Sequence, residues 1–443
     1  MLLSSLCAWL AAGCHRHVAA VVPAVVPPAP TAASARAFPL VRQAGMRCLV
    51  DQAGAPFLMQ GDTPWSLLVQ LKREEVERYL ADRRRRGFNT LLVNLIEHQY
   101  ADHAPRNAYG EAPFLDAGDF SRPNEKYFQH VDWVLTRAAE EGFVVLLTPA
   151  YMGFQGGAEG WFQEMREAGT ARLRAYGRYL GLRYHNLPNV IWMDGGDYAP
   201  AEPALPRAIM EGIRETDPAA LHSYHAGRGT SAREYVGGIP GWLDLNTVYT
   251  NKDGVVASAR REYAASPLPF ILVEALYEWE GATPEIVRAQ AYQAMLSGAC
   301  GQQLGNRRLW SFDAGVWEAQ LDSPGARSMT TLRDILGRLA WWQLRPAPDA
   351  FIAAGAGTGI DRAAAAIAAD GSYALLYVPS RRPVTLDAAA LGTAALRAQW
   401  IDPTSGAMTE ATPEAGSPSP TYVPPGPNRG RGGDWLLRID AVR

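Results

Sequence analysis

Two carboxylates stand at the ends of apolar segments in this sequence. The stretch IWMDGGDYAP at 191–200 is an apolar run that stops at two glycines and is followed at once by Asp197. The stretch FILVEALYEWE at 270–280 places Glu274 at the end of a second apolar run. Cleavage of a glycosidic bond needs such a pair, because one carboxylic acid protonates the leaving oxygen while one carboxylate attacks or assists at the anomeric carbon. Asp197 and Glu274 are therefore the predicted catalytic pair.

The elements that must position this pair are short apolar runs, which alternate with amphipathic stretches between residues 55 and 310. The eight runs that we predict as strands are 56–61, 88–96, 143–149, 189–196, 221–226, 243–249, 270–276 and 299–304. Runs without strict alternation are typical of parallel strands buried on both faces, and eight such units fit a (β/α)8 TIM barrel. An open doubly wound sheet is the alternative, but no GxGxxG follows the first strand.

In a barrel the residues just past the carboxyl ends of the strands converge on one face, which holds the active site. With Asp197 after the fourth strand and Glu274 at the seventh, we expect the two carboxyl groups about 5 to 5.5 Å apart, the spacing of a retaining glycosidase. The negative charge of Glu274 is expected to raise the pKa of Asp197, which would keep Asp197 protonated for departure of the leaving group.

The same strand ends supply candidate substrate-binding residues, mainly aromatic rings that offer flat apolar faces to a sugar. The candidates are Asp62, Trp65, Asn94, Tyr151, Tyr198, His225, Tyr249, Tyr277, Glu278 and Trp310. Asp194 competes with Asp197 for the catalytic role, and Glu278 and Glu280 compete with Glu274. The simpler alternatives are that Asp197 is a turn residue or a helix N-cap and that Asp62 caps the first loop.

Other chemistries are less well supported. Four histidines at 98, 103, 222 and 225 have no metal-ligand spacing, so no metal and no cofactor is predicted. Lys252 lies just after the sixth strand and could form a Schiff base, but it sits in NKDG, a typical exposed turn. With 42 basic and 45 acidic residues and no long run of one sign, the chain lacks the footprint of a nucleic-acid-binding protein. The sequence leaves the oligomeric state open.

The two ends of the chain have their own composition. Residues 1–37 read as an export signal followed by a Pro/Ala-rich linker, and AAGC resembles a bacterial lipobox, which would make Cys14 a lipidated first residue and the only link to a membrane. A misassigned start or an uncleaved anchor is the alternative. The protein is thus expected to be exported, as a periplasmic, cell-surface or secreted form.

From about residue 350 the helical period disappears and strand patterns separated by Pro and Gly turns take over. WIDPTSG at 400–406 has the composition of a hairpin. We therefore predict a catalytic barrel over residues 38–345 and a small all-β sandwich over residues 346–443. Since the second part contributes no strand-end carboxylate to the barrel, deleting it is expected to spare the chemical step while lowering stability or polymer binding.

Four motifs in order resemble the apiosidase-like glycoside hydrolases, glycoside hydrolase family 140 and its relatives. They are GDTPW at 61–65, GFNTLLVN at 87–94, the GGD that ends in Asp197 and the ExxYE that runs from Glu274 to Glu278. The tail resembles the putative collagen-binding domain that often follows such barrels. The resemblance implies that Asp197 is the acid/base, that Glu274 is the nucleophile, and that the substrate is a plant-type polysaccharide carrying terminal apiose or a similar pentose.

Two departures from the family pattern bear on the substrate. This chain has Val273-Glu274-Ala275 where relatives commonly have Gly-Glu-Pro, and GQQLGN at 301–306 where a His-containing segment is usual. The second departure touches the sugar-binding wall, so the resemblance implies hydrolysis more directly than it implies apiose. A function of another class stays open, that of a non-catalytic surface protein binding carbohydrate or matrix.

Overall fold

The computed structural model of the protein describes residues 37–392, 396–416 and 419–442. The segment of the predicted export signal, including Cys14, lies outside the described residues. The strands are β1 (Val41–Arg42), β2 (Leu49–Val50), β3 (Met59–Asp62), β4 (Thr90–Asn94), β5 (Val144–Thr148), β6 (Val190–Gly195), β7 (Leu221–His225), β8 (Asn246–Tyr249), β9 (Phe270–Glu274), β10 (Gly301–Leu304), β11 (Leu344–Pro346), β12 (Ile352–Ala354), β13 (Ala364–Ala368), β14 (Tyr373–Val378), β15 (Val384–Leu386), β16 (Leu396–Ile401), β17 (Met408–Glu410), β18 (Thr421–Tyr422) and β19 (Trp435–Ala441).

The α-helices are fewer than the strands, and most of them lie in the barrel part of the chain. They are α1 (Leu67–Gln70), α2 (Arg73–Arg85), α3 (Glu125–Glu140), α4 (Phe162–Tyr184), α5 (Ala204–Thr216), α6 (Ala232–Tyr235), α7 (Val255–Ala265), α8 (Pro284–Leu296), α9 (Arg307–Trp310), α10 (Trp317–Gln320) and α11 (Pro324–Gly337). Among the described residues, no helix is both long and apolar enough to cross a membrane.

Strands β3 to β10 form one parallel sheet of eight strands in the order β7-β6-β5-β4-β3-β10-β9-β8. Its two edges, β7 and β8, meet through a parallel bridge between His222 and Leu243 and through hydrogen bonds from Ser223 and Thr247 across the gap. The sheet is therefore a nearly closed barrel. Each of the eight predicted strands overlaps one barrel strand, so the TIM-barrel prediction is confirmed.

Local sequence explains why helices begin where they do. Thr283 accepts a hydrogen bond from the amide of Ile286 and is followed by a proline in the first turn of α8. Ser323 caps α11 in the same way, again before a proline. Proline is well suited to the first helical position because its fixed φ suits the helix and its missing N–H would have no partner there. A side-chain cap thus fixes the first turn of each of these two helices.

The C-terminal part consists of antiparallel sheets, as predicted. Six strands pair in the order β11-β13-β14-β19-β16-β17, and β12, β15 and β18 form a second sheet. The predicted hairpin is present, because the turn between β16 and β17 spans Asp402 to Gly406. Strand β11 already belongs to these sheets, so their first strand begins at Leu344.

The larger C-terminal sheet is covered on both faces, which explains why β14 is buried throughout. Leu375 and Tyr377 on one face belong to the apolar core shared with the barrel, whereas Leu376 and Val378 on the other face pack in the core between the two C-terminal sheets. Helix α8 of the barrel is anchored to this sheet by a buried bidentate ion pair between Arg288 and Asp434, with N···O distances of 2.7 and 2.8 Å.

Candidate active site

A pocket of about 350 Å³ lies where the barrel strands end at their carboxyl side. Its volume falls in the range of small-molecule sites in proteins. The residues lining it are Trp65, Asn94, Tyr100, Tyr151, Phe154, Asp197, Arg228, Tyr249, Glu274, Tyr277, Glu280 and Trp310. Both predicted catalytic carboxylates are therefore brought together, along with six of the predicted binding residues.

The two glycines before Asp197 are required by the local geometry. Gly195 and Gly196 have φ angles of 92° and 109°, and Asp197 itself is left-handed with φ 51°. A Cβ atom on Gly196 would lie 2.4 Å from the ring of Tyr151, and one on Gly195 would lie 2.5 Å from the carbonyl oxygen of His225. Only glycine fits both positions, so the GGD sequence turns the chain sharply and presents the Asp197 carboxylate to the pocket.

His225 connects the two carboxylates from beneath the pocket. Its Nδ1 accepts a hydrogen bond from the backbone N–H of Asp197 at 3.1 Å, and its Nε2 lies 3.1 Å from Oε2 of Glu274. Because Nδ1 is an acceptor, the neutral ring carries its proton on Nε2, which faces Glu274. His225 thus positions both members of the pair without lining the pocket itself.

The carboxylates of Asp197 and Glu274 lie close to each other. Oxygen atoms of Asp197 and Glu274 lie within 4.8 Å of each other and of a ring nitrogen of His225. Burial raises the pKa of Glu274 to about 7, and the negative charge of Asp197 adds to the rise, whereas His225 and Arg228 oppose it. Glu274 is largely buried, with only 12% of its side chain exposed.

Tyrosines and a guanidinium complete the polar surroundings of the pair. The hydroxyl of Tyr151 donates to Oδ2 of Asp197 at 2.7 Å, and the hydroxyl of Tyr100 lies 3.4 Å from that of Tyr151. On the other side, Nη2 of Arg228 donates to the hydroxyl of Tyr249 at 2.8 Å. Oδ1 of Asp197 has no hydrogen-bond partner among the described residues. This oxygen is therefore a buried acceptor that no described side chain satisfies.

Asn94, which lines the pocket, is held by a second buried carboxylate, that of Glu97. Its Nδ2 donates to Oε1 of Glu97 at 3.4 Å, and its Oδ1 finds no partner within the described part of the chain. Glu97 also accepts from the hydroxyl of Ser66 at 2.7 Å and from the amide of Ala101 at 3.1 Å. Burial raises the pKa of Glu97 to about 7. The Asn94 carbonyl is therefore buried and unpaired beside the pocket that Asn94 lines.

Three of the predicted binding residues lie elsewhere. Asp62 is fully buried and accepts hydrogen bonds from Tyr79 at 2.8 Å and Arg83 at 3.2 Å, so it belongs to the wall between β3 and α2. Glu278 is also buried, and its carboxylate binds the start of α11. Tyr198 packs edge-on against the ring of Phe162, 5.0 Å between centroids, outside the pocket lining.

The competing residues are also separated from the pocket, with one exception. Asp194 is buried 3.7 Å from His222 and does not line it. Lys252 sits in its turn 3.4 Å from Asp253, away from the pocket. Glu280 does line the pocket, at the rim, and its carboxylate lies 3.6 Å from Arg307.

Sequence reasoning did not single out three residues of the pocket: Tyr100, Phe154 and Arg228. Phe154 lies six residues past the end of β5, and Arg228 lies three residues past the end of β7. Tyr100 lies six residues past the end of β4. Reading each loop a little further, and counting every aromatic or basic residue in it, would have found all three.

The same three groups that make up the centre could hold a cation. Asp197, His225 and Glu274 offer one donor atom each, all within 4.8 Å of one another. Two carboxylates and an imidazole are ligands that zinc accepts. His225 can contribute only Nε2, because its Nδ1 is taken by the amide of Asp197. The arrangement therefore supports acid–base and nucleophilic chemistry. A chelator experiment would test whether the same three groups bind a metal.

The family comparisons agree with the motifs. The model of the apiosidase-like catalytic domain matches residues 43–343. The model named putative collagen-binding domain of a collagenase matches residues 347–440. The resemblance seen in the sequence is thus confirmed for both parts of the chain. No curated protein matches the chain.

Solved structures share the fold over almost the whole chain. A glycoside hydrolase family 5 protein from Bacteroides vulgatus superposes with a TM-score of 0.77 at 23% identity, covering 91% of this chain and 92% of that one. A second structure, described as a glycoside hydrolase, has the same score and identity and covers 95% of this chain and 99% of its own. At this level of identity the similarity shows a common fold.

Proposed function

Because this chain belongs to the apiosidase-like family of glycoside hydrolases, we propose that it is a retaining, exo-acting enzyme with Asp197 as acid/base and Glu274 as nucleophile. The substrate is a plant-type polysaccharide side chain, from which the enzyme removes a terminal apiose or a similar pentose. The observation that carries the proposal is the short separation of the two carboxylates, whose oxygens lie within 4.8 Å. A spacing of this order favours direct attack, since an inverting enzyme leaves roughly 6.5 to 9.5 Å for a water molecule.

In the first step Glu274 attacks the anomeric carbon while Asp197 gives its proton to the leaving oxygen. Ionisation of Glu274 is assisted by the Nε2–H of His225 and by the charge of Arg228, both of which lower the pKa of Glu274. As the glycosyl-enzyme forms, the negative charge of Glu274 is neutralised. Asp197, now ionised, takes a proton from water in the second step, and the hydrolysis restores Glu274.

The proposal of a terminal pentose rests on the pocket and on the family. Aromatic rings of Trp65, Tyr151 and Trp310 enclose a volume of about 350 Å³, at the small end of ligand sites, which suits a single sugar better than a continuous chain. The Nε1–H of Trp65 donates to the hydroxyl of Tyr277 at 3.1 Å, so two wall residues are fixed against each other. We assign to the side chain of Asn94, which lines the pocket, a hydrogen bond to a sugar hydroxyl.

A panel of aryl glycosides tests the proposal, with apiosides, arabinosides and xylosides compared against hexosides. We expect pentoside turnover by the wild-type protein and none by Glu274→Gln, its matched control. The same assay in the presence of a chelator tests the alternative of a metal-dependent enzyme. Turnover that is lost with the chelator and restored by zinc would assign Asp197, His225 and Glu274 to a metal site. A folded wild-type protein that turns over no glycoside would instead support the non-catalytic carbohydrate-binding alternative.

We further propose that the enzyme is exported and tethered by a lipid on Cys14. The support is the apolar start of the chain, the AAGC segment and the Pro/Ala-rich stretch that follows. Intact-mass measurement of the protein from its native source checks this, and a lipid-modified chain beginning at Cys14 is the expected result. A chain that keeps Met1, or that is cleaved near Ala35 without lipid, would contradict it.

A further inference from the structure

A second cavity lies outside the barrel wall, where strands β6 and β7 face helices α5 and α6. Its volume is about 70 Å³, and no described residue lines both this cavity and the catalytic pocket. Its walls are mostly apolar, with Met210 and Val236 among them, and they include one acidic and one basic residue, Asp194 and Arg207. The cavity is therefore a separate site with its own pair of opposite charges.

Asp194 points from β6 into this cavity. It pairs in register with Tyr224 of β7, so both side chains lie on the outer face of the sheet, where the ring of Tyr224 stacks on Tyr235 of α6. Only 3% of Asp194 is exposed, and its Oδ2 has no hydrogen-bond partner among the described residues, with Nδ1 of His222 at 3.7 Å. Burial raises the pKa of the Asp194 carboxyl. A buried carboxylate without a close donor is costly, so a ligand that brings a cation to it gains binding free energy.

Arg207 lines the same cavity from its solvent side. It lies on α5 and is exposed. Within the described part of the chain it forms no ion pair and no side-chain hydrogen bond. A guanidinium can bind a carboxylate through two parallel N–H groups. The exposed side of the cavity therefore offers a partner for an anion, while the buried side offers a partner for a cation.

Three aromatic rings line the cavity along with these two charged groups. Tyr224 and Tyr235 are stacked with 4.5 Å between ring centroids, and Trp242 is the third. The hydroxyl of Tyr235 donates to the carbonyl of Pro200 at 3.1 Å, and that of Tyr224 donates to the carbonyl of Tyr198 at 3.5 Å. Because the hydroxyls are occupied, the tyrosines contribute their rings, and ring faces attract cations as well as apolar groups.

We propose that this cavity binds a small zwitterion, an amino acid whose ammonium group faces Asp194 and whose carboxylate faces Arg207. The size of the cavity agrees with such a ligand. At about 30 Å³ per water-sized group, 70 Å³ holds two or three heavy atoms, which suits an ammonium group on a short carbon chain. The carboxylate of the ligand then stays at the exposed guanidinium. The site is independent of glycoside hydrolysis and goes beyond the proposed function.

The test uses the methyl group of Met210, which lines the cavity, as an NMR reporter in the full chain labelled with ¹³C at its methionine methyl groups. Met210→Leu assigns the signal. Three probes of matched length are compared: 3-aminopropanoate, n-propylammonium and propanoate. We expect 3-aminopropanoate to shift the Met210 signal in a saturable manner, n-propylammonium to bind about tenfold more weakly because it lacks the carboxylate, and propanoate to leave the signal unshifted.

Two variants each remove one charge from the cavity. Asp194→Asn keeps the shape of the side chain and is expected to weaken 3-aminopropanoate at least about tenfold. Arg207→Gln should lower the affinity for 3-aminopropanoate to that for n-propylammonium and leave n-propylammonium unchanged. Arg214→Gln, another exposed arginine on α5 that does not line the cavity, is the matched control and should bind as the wild type does. Circular dichroism and melting temperature confirm that each variant is folded.

Three results would overturn the zwitterion site. A Met210 signal that 3-aminopropanoate leaves unshifted in the wild type would mean that the cavity holds water only. Propanoate binding as tightly as 3-aminopropanoate would remove the cation from the site. Unchanged affinity for 3-aminopropanoate in a folded Asp194→Asn variant would separate the carboxylate from the ligand. If Asp194→Asn does not fold, Arg207→Gln decides, since its exposed position on α5 tolerates the change: unchanged affinity for 3-aminopropanoate overturns the proposal, and the expected loss supports it.

Discussion

Two aspartates follow glycines at the carboxyl ends of barrel strands, and they have opposite surroundings. Asp62 after Gly61 has both oxygens bonded, Oδ1 to the amide of Thr63 at 3.0 Å and Oδ2 to Tyr79 and Arg83. Asp197 after Gly196 has one oxygen bonded to Tyr151, while the other finds no partner among the described residues.

The difference separates polar groups that hold the fold from those that serve a ligand. A buried carboxylate whose oxygens are all hydrogen-bonded contributes to a stable network. Removing it leaves the charge of its buried partner with less compensation. An unsatisfied oxygen at a pocket costs stability and persists where a substrate completes the bonding. Mutations at the Asp197 site should therefore lower activity more than stability, whereas mutations at Asp62 should lower stability more than activity.

The largest expected effect is that of Glu274→Gln. Without a nucleophile, turnover of every glycoside should fall by at least about 10⁴-fold. Its melting temperature should stay the same or rise, because the change removes a buried acidic group that faces another carboxylate. Steady-state kinetics and calorimetry on one preparation check both parts. Substantial turnover in a pure, folded variant would remove Glu274 from the nucleophile role.

Asp197→Asn should follow, with an effect that depends on the leaving group. General acid catalysis is worth about 10² to 10⁴-fold, so sugar leaving groups should lose a factor in this range. Activated aryl groups, which need little protonation, should lose far less from the first step. A series of aryl glycosides of graded leaving-group pKa measures this dependence, and an equal loss across the series would argue against Asp197 as the acid.

Asp62→Asn should show the reverse pattern. Loss of the carboxylate leaves Arg83 with Asp82 as its remaining acidic partner, and we expect the free energy of unfolding to fall by about 3 kcal/mol. In the fraction that stays folded, kcat/KM should remain close to that of the wild type. Denaturant titration gives the first quantity. A stable variant with impaired catalysis would return Asp62 to the substrate-binding role assigned from the sequence.

The smallest predicted effect is a pH dependence. The pair is active with one proton, and the pKa of about 7 at Glu274 marks the loss of that proton. For the wild type, kcat/KM should therefore fall about tenfold per pH unit above about pH 7. In Asp197→Asn the active form needs only ionised Glu274, so kcat/KM on an activated aryl glycoside should rise with pH to a plateau. A falling alkaline limb in that variant would contradict the shared proton.

The sequence predicted the barrel well because its evidence is local. Apolar runs, capping residues and glycines repeat along the chain, and all eight strands follow from them. That Asp197 and Glu274 meet in one pocket could be predicted for the same reason, since both stand at strand ends. The placement of Asp62 could not, because its partner Arg83 lies on α2 and only packing shows that the two side chains meet.

Contacts between distant parts of the chain could not be predicted from the sequence either, because they leave no local pattern. Arg288 and Asp434 are 146 residues apart, and no local pattern pairs them. Because the core shared between the barrel and the larger C-terminal sheet contains Tyr373, Leu375 and Tyr377, deletion of the C-terminal part would expose apolar surface on the barrel. The expected loss of stability on deletion now has a structural cause, whereas the pocket itself takes no residue from that part.

Asp197 and Glu274 are proposed to act as the acid/base and the nucleophile of a retaining mechanism. The most direct test is to follow the anomeric configuration of the released sugar by NMR in the first minutes of hydrolysis, before mutarotation. We expect the first product to keep the configuration of the substrate. Initial release of the opposite anomer would contradict both the role of Glu274 and the inference drawn from the distance between the two carboxylates.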